Sequence, residues 1–383
     1  MKLVVALDKF KGSLTAARAC AIVASALRTA RPSDEIISQP MADGGDGTAA
    51  VIHEALGGEW VECAVAGPLA GIPSSARYLW LPGPRLAVIE MAAASGLALL
   101  KPEERDPMRA TTYGTGELIR AAVERGAQKI LLGVGGSATV DGGVGAAMAL
   151  GWKFLDAAGK PVGFGGGELQ RIATVIPPSR CHSERSEESP SATTETLRFA
   201  QGDKLQIEVL CDVDNPLCGE HGAARTFGPQ KGATPVTVEK LEAGLANLAG
   251  HFPHLADVPG AGAAGGLGFG AAAFLGARLV SGIDAVMALT KFEDAIRDAD
   301  WVVTGEGCFD EQSLRGKVVS GVMRLAQKHR VKVAVLAGSV KLTSAPGIEF
   351  VLATRPAGMV LPEALERAEE LLSGRARELA AQL

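Results

Sequence analysis

The chain has 383 residues, 47% of them hydrophobic, with 48 glycines, 4% aromatic residues and a formal net charge of −5. That length exceeds what one hydrophobic core usually serves, so two domains are expected. The mildly acidic balance leaves no basic footprint for nucleic acid, and no uncharged apolar run is long enough for a membrane span.

The opening "MKLVVALDKF" carries no secretory signal, and six scattered cysteines (Cys20, Cys63, Cys181, Cys211, Cys218, Cys308) form no C-x-x-C pair. Reduced thiols and a cytoplasmic location are the expectation. "KLVVALD" predicts a buried strand ending in the polar loop "DKFKGS". Ser13 is the expected N-cap of a helix whose apolar positions Ala19, Ile22, Val23, Ala26 and Leu27 keep helical spacing. "EIISQP" predicts a second strand and closes a βαβ unit. After the loop "MADGGDGT", the stretch "TAAVIHEALGG" predicts a short helix stopped by Gly57–Gly58.

"EWVECAVAG", "SARYLWL" and "RLAVIEMA" read as three strands separated only by turns, an antiparallel meander. The helix "TGELIRAAVERG" and the strand "KILLGV" follow. This αβββαβ order breaks the opening pattern and places a domain boundary near residue 46. Strand–helix alternation returns with "DADWVVTGEG", "KVAVLAGS" and "FVLATR", and the chain closes on the helix "LPEALERAEELLSGRARELAAQL". The expected architecture is α/β. Residues 1–45 and 292–383 form a discontinuous doubly wound parallel-sheet domain, residues 46–291 an inserted second α/β domain, and the cleft between them the ligand site. Inside the insertion, residues 177–204 are rich in Ser, Glu, Arg and Thr and lack apolar periodicity. They read as a solvated, disordered loop in which Cys181 and His182 are surface residues rather than metal ligands.

The stretch "GVGGSATVDGGVGAA" (Gly133–Ala147) leaves the apolar run "KILL", and a glycine-rich turn after a buried strand is a common phosphate site. "GVGGSA" fits G-x-G-x-x-A with Asp156 at the spacing of a ribose-binding acid, and "GAGAAG" (Gly260–Gly265) fits G-x-G-x-x-G. Such matches are expected by chance in so glycine-rich a chain, and neither continues as strand, turn and helix. An NAD-dependent oxidoreductase is therefore the alternative from another class. No Walker-type G-x-x-x-x-G-K-[ST] occurs. The backbone N–H groups of Gly135, Gly136 and Ser137, the hydroxyls of Ser137 and Thr139 and the acid Asp141 supply a different cradle.

Acidic loops follow four strand-like runs: Asp8; Asp43 with Asp46; Asp212 with Asp214; and Glu306 with Asp310. The C-terminal ends of strands are where parallel α/β sheets bind ligands. Together with Lys9, Lys11 and Lys317 these acids fit phosphoryl transfer: carboxylates hold Mg²⁺ or accept a hydroxyl proton, and lysines neutralise phosphate. No G-x-S-x-G elbow supports a hydrolase.

The blocks "LDKFKGSLTA", "MADGGDGT", "IEMAAASGLALL", "RDPMRATTYGTGELI", "GVGGSATVDGGVGAAMALG", "CDVDNPLCG", "FGPQKGAT", "GLGFGAAAFLGARLVSGID" and "VTGEGCFDEQSLRGKV" resemble, in order and over nearly the whole chain, the type I glycerate kinase family. The resemblance implies transfer of the ATP γ-phosphoryl group to D-glycerate with Mg²⁺, at the 2-hydroxyl, giving 2-phospho-D-glycerate and ADP. It also implies a flavodoxin-like domain carrying a restriction-enzyme-like insertion. A monomer or homodimer is expected, and composition argues for no nucleic-acid or membrane partner. Another small hydroxy acid is the neighbouring alternative as acceptor. Matching the blocks and weighing their chemistry makes Lys11 and Asp8 catalytic candidates and Asp43 or Asp212 the base. Gly135, Gly136, Ser137, Thr139, Asp141 and Lys317 become nucleotide ligands, and Asp310 and Glu306 metal ligands.

Two departures stand out. Cys308–Phe309 occupies positions where the family pattern has an arginine and an aliphatic residue, and the 177–204 loop is longer than the family's connection and reads like translated repetitive DNA. Its deletion is expected to leave kcat within about twofold, because a solvated polar segment buries little; a large loss of kcat would show that it supports the nearby "CDVDNP" loop.

Overall fold

The computed structural model describes residues 1–69, 71–178 and 205–383; most of the polar loop expected at 177–204 lies outside them. Among the described residues the strands are β1 (Lys2–Leu7), β2 (Glu35–Ser38), β3 (Glu59–Ala66), β4 (Pro73–Leu81), β5 (Leu86–Glu90), β6 (Lys129–Gly133), β7 (Lys153–Leu155), β8 (Thr174–Ile176), β9 (Gln206–Leu210), β10 (Arg278–Val280), β11 (Trp301–Phe309), β12 (Lys332–Val340) and β13 (Phe350–Ala353). They divide between two compact units, Met1–Gly57 with Val280–Leu383, and Gly58–Leu279. The first unit therefore takes in residues 46–57 and 280–291, which the sequence pattern alone assigned to the insertion.

The first unit is built on a five-stranded sheet in the order β13-β12-β11-β1-β2, with every neighbouring pair parallel. A central parallel strand is buried on both faces and so reads as an unbroken apolar run, as "KLVVAL" does. Leu3, Val5 and Leu7 pack beneath the helices Ala16–Ala30 and Ala368–Ala380, while Val4 and Ala6 face Val302, Val333 and the helix Val318–His329. Alternate side chains of one strand thus serve two cores. The register Leu7↔Gly305 sets the C-terminal end of β1 beside the middle of β11, one residue before Glu306.

Two local details differ from expectation. The helix Ala16–Ala30 is capped by Thr15, whose hydroxyl accepts from the Arg18 amide at 3.2 Å, not by Ser13. Ser13 lies within the turn closed by the Phe10–Leu14 bridge and donates its hydroxyl to the Phe10 carbonyl at 3.1 Å. The terminal helix is two helices, Leu361–Glu366 and Ala368–Ala380, broken at Arg367.

The second unit holds a six-stranded sheet, β10-β9-β6-β5-β4-β3, and the small antiparallel pair β7–β8. β3, β4 and β5 form the antiparallel meander, and β5, β6 and β9 run parallel. The helix Tyr113–Glu124 covers this sheet through Leu118, Ile119 and Ala122. "GVGGSATVDGG" begins at the end of β6 and "CDVDNP" at the end of β9, two adjacent parallel strands.

Candidate active site

In the first unit, the end of β1 and the middle of β11 bring Asp8 and Glu306 together with Asp43. Asp8 is 7% exposed and Glu306 9% exposed. Burial, Asp43 and Glu306 push the Asp8 carboxyl up to about 7, against the pull of Lys9. Burial also raises Glu306; the Ser313 hydroxyl and Lys317 oppose the shift, and Asp43 and Asp310 add to it. Glu306 Oε1 is buried without a hydrogen-bond partner among the described residues, and so is the hydroxyl of Thr304, two residues earlier on the same face of β11. A buried polar atom without a partner costs of order 1–3 kcal/mol, so such atoms mark a place where a ligand completes the bonding.

The glycines around these acids answer to close approaches. A Cβ on Gly305 would lie 1.7 Å from the Leu336 carbonyl oxygen, so only glycine lets β11 and β12 pair where they present Glu306. Gly305→Ala is expected to cost about 3 kcal/mol or more, by forced overpacking; a urea unfolding series checks this. Gly44 and Gly47 hold φ of 93° and 94° in the Asp43 loop. Within that loop Asp43 Oδ1 accepts from the Gly45 amide at 3.2 Å, and Lys9 Nζ donates to the Asp46 carbonyl. Lys11 is exposed on the neighbouring turn, its amide nitrogen 3.3 Å from where a Gly307 Cβ would stand. Lys317 is the residue before the helix Val318–His329.

Asp310 is engaged locally. Its Oδ1 caps the Gln312 amide at 3.0 Å, and its Oδ2 faces Lys341 Nζ at 3.4 Å and the Cys308 thiol at 3.9 Å. Of the two acids expected to bind metal, Glu306 is thus the one with an unsatisfied oxygen. No group of three or more His, Cys, Asp or Glu side chains among the described residues is placed to hold a metal ion. Mg²⁺ commonly takes only one or two carboxylates and completes its shell with water and phosphate. The all-oxygen set at Glu306 and Asp43 fits that chemistry.

The second cluster lies in the second unit. Asp141 is 1% exposed, and both its carboxylate oxygens are engaged by groups of the chain itself. Its Oδ2 accepts from the Thr112 amide (2.8 Å), the Thr112 hydroxyl (2.9 Å) and the Gly145 amide (3.3 Å), and its Oδ1 from the Gly143 amide (3.1 Å). Burial raises this carboxyl while those bonds pull it back down. Asp141 is a buried clamp that ties the glycine loop to the Thr111–Thr112 turn.

Ser137, Thr139 and Gly136 remain in a loop able to meet an anion. Gly136 is at the exposed tip with φ 73°, and the buried Thr139 hydroxyl has no partner among the described residues. Gly135 precedes it, half-buried. Sequence reasoning missed Lys231, which is 2% exposed. Its Nζ donates to Ser137 Oγ at 2.7 Å and to the Thr139 carbonyl at 2.8 Å. Burial drives this ammonium down to about 7, with Asp141 holding it up. Asp212 lies half-buried just after β9 in the same unit.

Comparison with known proteins gives a consistent result. The glycerate kinase family profile matches residues 3–383. The chain is 41% identical to the glycerate kinase of Halalkalibacterium halodurans, covering 99% of this chain and 97% of that one. It is 40% identical to the glycerate 2-kinase of Escherichia coli, covering 100% and 98%. The crystal structure of a Salmonella typhimurium protein assigned as glycerate kinase 2 superposes with a TM-score of 0.82 at 39% identity, covering 100% and 98%. The chain belongs to the glycerate kinase family.

Proposed function

We propose that the protein transfers the γ-phosphoryl group of ATP to the 2-hydroxyl of D-glycerate, releasing 2-phospho-D-glycerate and ADP. The observation that carries this reading is the grouping of buried Asp8 and Glu306 with half-buried Asp43, where the end of β1 meets β11. Counted within its own unit, the first sheet has strand order 2-1-3-4-5. That order supports the flavodoxin-like reading, in which the ligand crevice opens between the first and third strands, here β1 and β11. The second unit, with its βββαβ opening, supports the restriction-enzyme-like reading of the insertion.

In this reading Asp8 is the base. A carboxyl poised near 7 can accept the proton of an attacking hydroxyl at neutral pH, whereas an ordinary aspartate is too weakly basic to contribute much. Asp43, half-buried and bonded to its own loop, and Glu306, with its unpartnered oxygen, would hold Mg²⁺. When bound there, the ion neutralises phosphate charge. Lys11 and Lys317 add positive charge beside the acids, and the Gly135–Thr139 loop with Lys231 supplies N–H and O–H donors for a phosphate.

ADP release from ATP and Mg²⁺ with D-glycerate, with phosphorus NMR of the product, tests the proposal. A 2-phosphoglycerate resonance is expected. A 3-phosphoglycerate product would overturn the position of transfer, and ATP binding without turnover of D-glycerate would overturn the acceptor.

A further inference from the structure

The first unit carries a pocket of about 510 Å³ that begins at Asp8 and Lys11 and extends well beyond the reacting groups. It runs from Asp8 and Lys9 past the Phe10–Leu14 turn to Glu54, between the start of the helix Ala16–Ala30 and the helix Thr48–Leu56. Phe10, Leu14, Met41 and Val51 form apolar walls. Gly47, Ala50, Val51 and Glu54 fall at i, i+3, i+4 and i+7, one stripe of a helix. Gly47 and Ala50 are small, as are Ala16 and Ala17 on the other helix, so the space between is left open.

The two ends differ in charge. Lys9 and Lys11 stand at the end shared with Asp8, while Glu54 stands at the far end, about 10 Å along the helix from Gly47 at 1.5 Å per residue. The volume is that of a pocket for a drug-sized ligand. D-glycerate is a small, wholly polar acid. It would leave most of these apolar walls uncovered, and no arginine lines the cavity to grip its carboxylate. A planar heteroaromatic base suits apolar walls, and a carboxylate such as Glu54 accepts hydrogen bonds from ribose hydroxyls or an exocyclic amine but repels phosphate.

We propose that this cavity receives the adenosine part of the nucleotide, with its phosphates directed toward Lys9, Lys11 and Asp8. The proposal rests on the ATP-dependent reading above and adds where the nucleoside sits. It also separates the roles of the units: the helix stripe of the first unit selects the base, independently of the glycine loop of the second.

The test is calorimetric titration of the full-length protein with ADP, for the wild type and for Ala50→Trp and Ala17→Phe, which fill the cavity from opposite walls. ADP binding is expected to weaken at least tenfold in both variants, and the ATP KM to rise by a similar factor, with the D-glycerate KM unchanged. Unphosphorylated adenosine is expected to compete with ADP in the wild type, a readout that needs no variant to fold. ADP affinity that is unchanged in both filled variants overturns the proposal, as does a rise in the D-glycerate KM alone. A wild type that binds ADP, loses it on filling and leaves D-glycerate untouched supports this assignment while overturning the acceptor.

Discussion

Asp8→Asn is expected to give a protein that is more stable at neutral pH and at least a hundredfold slower, the lower end of what a positioned general base contributes. The two effects share one cause. Asp8 is buried beside Asp43 and Glu306, and the fold holds it near 7 instead of at the ordinary 3.8. Below about pH 4 the carboxyl is protonated in the folded and unfolded chains alike, so it costs nothing. As pH rises from 4 to 7 the unfolded chain loses the proton while the folded chain keeps it, and stability falls until the folded carboxyl ionises too. The gap from 3.8 to about 7 sets a ceiling of about 4 kcal/mol. The asparagine amide is still buried, so a gain on the order of 2 kcal/mol is expected at pH 8, shrinking to nothing at pH 4. Urea unfolding of wild type and variant across that range, beside kcat at pH 8, decides the matter. A variant that is less stable at pH 8 would show Asp8 to be a structural partner; near-normal turnover would remove it as the base.

Lys231→Met is expected to lower kcat/KM at least a hundredfold, comparable to the loss of one donor from a preorganised anion site, while the unfolding midpoint at pH 7 stays level or rises. An ammonium has three N–H donors. Two are bonded to Ser137 Oγ and the Thr139 carbonyl, which leaves one for a phosphoryl oxygen. Burial holds Lys231 near 7 instead of 10.5, so keeping it charged below pH 7 costs stability that methionine does not. That cost fades as pH rises from 7 toward 10.5, so any stabilisation by methionine should fade over the same range. Lys231→Arg, which keeps a cation, should recover part of the activity. A strongly destabilised methionine variant would instead make Lys231 a strut for the loop.

The acids at the sheet ends were legible because two local signals coincide: an apolar run long enough to be a buried strand, and a carboxylate directly after it. Asp8 is found that way; Glu306 follows the apolar start of β11 while still inside the strand, and the two come together once β1 and β11 pair. The capping role of Asp310 is legible from its neighbours, since Asp310 and Ser313 form a D-x-x-S cap. The role of Asp141 is not. Its Thr112 partner lies 29 residues earlier, and nothing in the glycine loop announces that its acid points inward. Lys231 is illegible for the same reason: a lysine in "FGPQKGAT" reads as a surface cation until tertiary contacts bury it. Ser13 and Thr15 are both good caps by type, and the tight turn at Phe10–Leu14 decides between them.

The pairing of β1 with β11 joins Leu3 to Trp301, a loop of about 300 residues closed by one strand contact. During synthesis the first strand emerges long before its partner, whereas Gly58–Leu279 is contiguous and can fold as soon as it is made. β1, with its run of buried apolar residues, must therefore wait with only β2 and the intervening helix for company. A chain stopped short of residue 301 would expose that strand edge, the kind of surface on which nascent chains aggregate. Slow elongation through the insertion is thus predicted to harm yield far more than activity per folded molecule.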